Sequence, residues 1–96
     1  MCTSIVEIVG ADGAGKTGDG WIELTHSVVS YDHPHHAVLE EAITLDFVNA
    51  ALGPSARVAV ELTLASAKEL SGALLRAIAA AEIEESERLS RVLTRR

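Results

Sequence analysis

Within the stretches Trp21 to Tyr31, Ile43 to Phe47 and Arg57 to Leu62 apolar residues recur at every second position, and from Ala67 onward at every third or fourth. Ile22, Leu24, His26 and Val28 fall on one side of an extended segment, with Glu23, Thr25 and Ser27 mostly on the other. Ile43, Leu45 and Phe47 alternate with Thr44 and Asp46. Val58, Val60 and Leu62 alternate with Arg57, Ala59 and Glu61. Period two marks strands, and one-sided alternation marks an antiparallel sheet with one apolar face. Thr3 to Val9, rich in Ile and Val and ended by Gly10, reads as a further strand before these. Ala67, Leu70, Leu74, Ile78 and Ala81 then follow at helical spacing behind Thr63 or Ser66 as a cap, with Ser66 and Glu69 spaced as a capping box.

The expected architecture is therefore α+β: a four-stranded antiparallel meander followed by a long C-terminal helix packed on one face. Strands are expected at about 3–9, 21–31, 41–49 and 56–62, and the helix at about 64–81 with an extension to about 94. Glu84 with Arg88 and Glu87 with Arg91 support that extension at four-residue spacing. Gly53 and Pro54 make a turn too short to separate two cores, so residues 1–96 read as a single domain without internal repeats.

Composition narrows the function classes. Hydrophobic residues make up 48% of the chain but aromatic residues only 3%, so the core must come from Val, Leu, Ile and Ala. A chain of this size buries only about two thirds of its unfolded surface, and such a core gains from a second copy, which points to a homo-oligomer, dimer or higher. The formal net charge of −6 repels phosphate backbones, which argues against nucleic acid as a partner. No apolar run approaches the roughly 20 residues that span a bilayer, and the N-terminus lacks a basic start and apolar stretch, so no membrane partner and a cytoplasmic location are expected.

Gly10-Ala11-Asp12-Gly13-Ala14-Gly15-Lys16-Thr17 fits the phosphate-loop pattern G-x-x-x-x-G-K-[ST]. That loop works by running into a helix whose N-terminal amides hold phosphate, with the threonine on magnesium. Gly18 and Gly20 stand where the first helical turn would be, and strand-like alternation begins at Trp21. Residues 11–20 thus read as a flexible glycine-rich connection, and no nucleotide is expected. Ile43-Thr44-Leu45-Asp46 imitates the second nucleotide motif, in a chain too short for the parallel βα units that motif belongs to.

Potential metal ligands concentrate elsewhere. Three of the four histidines lie in Tyr31-Asp32-His33-Pro34-His35-His36, and Glu40 and Glu41 follow closely. Imidazole and carboxylate are ordinary ligands of zinc, iron and copper. An extended segment would put His33 and His35 on one side, whereas a turn at Pro34 would bring His33 and His36 together, with Glu40 one helical turn beyond His36. Cys2 or His26 could supply a further ligand. Trimming of Met1 would leave Cys2 with both amine and thiolate available, while a single cysteine gives no internal disulfide. A solvated turn beside an acidic face is the competing reading of the same residues. Trp21 and Tyr31 bracket the second strand and read as packing residues.

Met1-Cys2-Thr3, Gly20-Trp21, Tyr31-Asp32-His33-Pro34, His36-Ala37, Leu45-Asp46-Phe47 and the run from Gly53 to Leu62 together resemble an uncharacterised family of small actinobacterial proteins, over residues 1–81. The resemblance implies that Cys2, His33 and His36 recur as a set, with Glu40 accompanying them, and it names no activity. The chain departs from that pattern at Glu41, where a further histidine is expected, and in its charged tail after Ala81.

The leading expectation is a small metal-binding protein with Cys2, His33, His36 and Glu40 around a divalent transition metal (zinc, iron or copper). His35 or His26 would stand in reserve, and a three-ligand version would leave the open position of a small metal-dependent enzyme. The alternative is a homo-oligomeric interaction module acting through the stripe at Leu75, Ile83 and Leu89. A third reading is a small-molecule ligand held on the concave sheet face by His26 and Tyr31.

Overall fold

The computed structural model describes residues 5–32 and 42–94, which form two compact units divided at Leu64 and Ala65. The first is a four-stranded sheet in the order β1-β2-β3-β4, with β1 at Ile5–Thr17, β2 at Gly20–Asp32, β3 at Ala42–Val48 and β4 at Arg57–Leu62. All three pairings are antiparallel, so each strand lies beside its sequence neighbour and the sheet is a meander. The second unit carries α1, Leu64–Thr94. The α+β class read from the change of period is the one observed.

β3 and β4 follow the sequence alternation. Ile43, Leu45 and Phe47 stand opposite Leu62, Val60 and Val58, and across β2 they meet Tyr31, Val29 and Ser27. This face is apolar. The opposite face carries Thr44, Asp46, Arg57 and Glu61, with an Arg57–Asp46 ion pair at 3.5 Å and contact between the Ser30 and Thr44 hydroxyls.

β2 departs from simple alternation. Its register with β1 shifts between Gly10, opposite His26, and Gly13, opposite Leu24. A Cβ built on Gly15 would meet Leu24 Cδ2 at 3.3 Å and Val58 Cγ2 at 3.1 Å, so Leu24 and Val58 point to the same side. Val58 shares its side with Ser27 through Phe47, and a regular strand would put Leu24 and Ser27 on opposite sides. The faces therefore swap along β2 between Leu24 and Ser27, while the extra residue of the register shift lies in β1. Ile22 and Leu24 belong to the apolar side, while His26 and Val28 lie on the polar one, which corrects the single face expected for these four residues.

The glycine-rich stretch is also a correction. Residues 11–17 are not a loose connection but the second half of β1, which turns through Gly18 and Asp19 into β2. Extended backbone needs only hydrogen-bonding partners, and β2 supplies them as far as Thr17 opposite Gly20. Gly15 is the position where a missing side chain counts, because it lets edge strand β1 approach Val58 of the other edge, β4. Thr17 Oγ1 donates to the Gly20 carbonyl at 2.9 Å and accepts from the Asp19 amide at 3.1 Å. Gly20 takes φ +122°, a conformation open to glycine.

α1 begins directly after Thr63, so Thr63 holds the N-cap position and Ser66 sits inside the first turn, not at the cap of a Ser66–Glu69 box. Its 31 residues take it through the charged tail as expected, and none of them is buried. Among the described residues Ala42, 1% exposed, is the buried hydrophobic residue.

Candidate functional site

Cys2, His33, His35, His36, Glu40 and Glu41 lie outside the described residues. The strands from which they depart are described. Ile5, the start of β1, pairs with Tyr31 near the end of β2, and Asp32 pairs with Ala42, the start of β3. Ladder partners stand about 5 Å apart, so the three chain ends at Ile5, Asp32 and Ala42 share one end of the sheet. Antiparallel pairing thus brings three chain ends that are far apart in sequence to one end of the sheet.

His26 is not at that end. Six residue steps along β2 separate it from Asp32, about 20 Å of extended chain. Its Nδ1 contacts Thr25 Oγ1 at 2.8 Å, the same hydroxyl lies 3.3 Å from the Val48 carbonyl and accepts the Ala50 amide at 3.0 Å. With the Thr25 proton directed to Val48, Nδ1–H is the donor to Oγ1. That hydrogen bond engages Nδ1 of His26 at the end of β3. His26 and Tyr31 also lie on opposite faces of β2, five residues apart in a strand of period two, so they do not line one concave surface.

Sequence reasoning missed Asn49. It is 9% exposed, donates Nδ2–H to the Glu23 carbonyl at 2.8 Å and accepts the Ala51 amide on Oδ1 at 2.9 Å. β2 pairs with β3 only from His26 onward, so beyond that point a side chain takes the place of ladder bonds at Glu23. The signal was an Asn directly after a strand and ahead of Gly53 and Pro54, a position suited to a side chain that bonds backbone two residues on. Gly53 at φ +96°, with the Ala56 amide on its carbonyl at 3.2 Å, completes this turn.

The phosphate-loop residues all serve the hairpin. Gly15 makes the close approach to Val58, the Thr17 hydroxyl ties the turn, and the Lys16 ammonium stands 6.0 Å from the centre of the Trp21 ring. Trp21 is 68% exposed, so it is a partner for Lys16 and not a packing residue of the core. No helix follows Thr17, and the backbone amides of a strand point alternately to its two sides, which does not form a phosphate cradle.

Among the described residues no group of three or more His, Cys, Asp and Glu side chains is placed to hold a metal ion, and no helix is long and apolar enough to cross a membrane. A family model described as a family of unknown function, DUF6295, matches residues 1–87. No curated protein and no solved structure matches the chain.

Proposed function

We propose that this chain, which belongs to the DUF6295 family of unknown function, binds a divalent transition metal through Cys2, His33, His36 and Glu40. The observation that supports this reading is the shared origin of their tethers: Ile5 beside Tyr31 and Asp32 beside Ala42, at one end of the sheet. A thiolate, two imidazoles and a carboxylate make a mixed donor set suited to zinc, with iron and copper as alternatives. Where one of the four is displaced by water or substrate, the ion is a Lewis acid with an open position, the arrangement of a small metal-dependent enzyme.

Elemental analysis of untagged protein tests this, after exposure to zinc, iron and copper and removal of loosely held ion. About one ion per chain is expected, lost in His33→Ala and kept in His26→Ala. Protein that stays metal-free after all three exposures, or whose metal is indifferent to His33, removes the reading. Mass determination of the same sample shows whether Met1 has been trimmed ahead of Cys2.

A further inference from the structure

β1 lies at the edge of the sheet, yet its first half lacks what an edge strand ordinarily carries. Ile5 (60% exposed), Val6 (53%), Ile8 (64%) and Val9 (50%) leave both faces of residues 5–10 apolar and open, with Glu7 as the one charge. A run apolar on both faces marks a strand covered on both sides, whereas a free edge is guarded by charge, proline or shortness. β4, the other edge, has such guards: it is six residues long and carries Arg57 and Glu61. Beyond β2, no strand among the described residues pairs with β1, so the outer backbone groups of residues 5–10 have no ladder.

We propose that this edge pairs with the same edge of a second copy of the chain, antiparallel, about a two-fold axis through Ile8. Such an axis, normal to the sheet, pairs residues that share a face, so one residue stands opposite itself. Glu7 in that place would set two carboxylates side by side. Val6 would run the pairing out past Ile5, and Val9 would carry it into the register shift between Gly10 and Gly13. With Ile8 opposite Ile8, Glu7 faces Val9 and Val6 faces Gly10, all ahead of that shift. The charges also select the occupant. β4 of another copy would bring Arg57 and Glu61 into the seam and, as a different edge, would leave an unguarded β1 open for further copies. β1 on β1 closes as a dimer and leaves the two guarded β4 edges outside.

Sedimentation equilibrium of the full chain, with chelator present so that metal bridging does not contribute, reads the association directly. The natural chain is compared with I8K, V9K and E7K/V9K. Ile8 and Val9 are exposed within one chain, so its fold tolerates the lysines, and far-UV circular dichroism reports that each variant is folded. The natural chain is expected to dimerise in the micromolar range, as suits a small interface. I8K sets two ammonium groups on the axis and weakens association by at least about tenfold. V9K places its lysine opposite Glu7 of the partner subunit and stays within about threefold of the natural chain, whereas E7K/V9K sets lysine opposite lysine and loses at least about tenfold. A natural chain that sediments as a monomer at high micromolar concentration overturns the proposal. So does I8K associating as tightly as the natural chain, or V9K associating no more tightly than E7K/V9K.

Discussion

Replacing Asn49 with Ala should destabilise the sheet more than any surface substitution in it. The side chain gives one hydrogen bond to the Glu23 carbonyl at 2.8 Å and takes one from the Ala51 amide at 2.9 Å, and the residue is 9% exposed. Each such bond contributes about 1 kcal/mol net, and a partner left dry costs about 1–3 kcal/mol. Glu23 and Ala51 are both exposed residues, so water can reach the groups left behind and the lower end applies, about 2 kcal/mol in all. For a domain of this size that corresponds to a fall in Tm of roughly 8–16 °C. Urea unfolding followed by far-UV circular dichroism gives the value, with an unchanged m-value showing that stability and not compactness has changed. Asp12→Ala, on the exposed middle of β1, serves as control and should stay within about 0.5 kcal/mol. An Asn49→Ala loss no larger than that control would refute the claim that this side chain replaces missing ladder bonds at the end of β3.

Gly15→Ala and Gly13→Ala should separate by about 1 kcal/mol in the same assay, because the new methyl group at 15 presses on Val58 and Leu24 while that at 13 meets nothing within 4 Å. Equal effects would show that β1 and β4 do not approach as described. Titration with magnesium-ATP at millimolar concentration should give no binding heat, since Gly15, Lys16 and Thr17 are engaged in the hairpin; saturable binding abolished by Lys16→Ala would overturn that account.

The fold was legible wherever side chains alternate against a single face. Ile43, Leu45 and Phe47, then Val58, Val60 and Leu62, are arranged as their spacing implies, and the change of period after Leu62 marks α1. What was not legible is what depends on partners distant in sequence. Glycines 13 and 15 carry no side chain to alternate, so nothing local distinguishes a loop from a strand there, and only pairing with Leu24 and Ile22 decides for the strand. The face change in β2 is likewise visible only through distant partners, in the approach of Leu24 and Val58 across Gly15. Thr63 outcompeted Ser66 as cap because β4 ends at Leu62 and leaves one residue before the helix. Of the candidate ligands, the set Cys2, His33, His36 and Glu40 came from residue type and resemblance. What the sheet adds is the common origin of the strand ends that lead to them, and the distance of His26, in the middle of β2, from that end of the sheet.

Cobalt(II) titration of untagged protein tests most directly whether Cys2 and His33 hold the same ion. Cobalt takes the coordination of zinc, and a thiolate ligand announces itself by a near-ultraviolet charge-transfer band. The account predicts a band that saturates at one equivalent, is lost in Cys2→Ser and in His33→Ala, and is unchanged in His26→Ala. Absence of the band in the natural chain, or its survival in His33→Ala, would contradict the shared site.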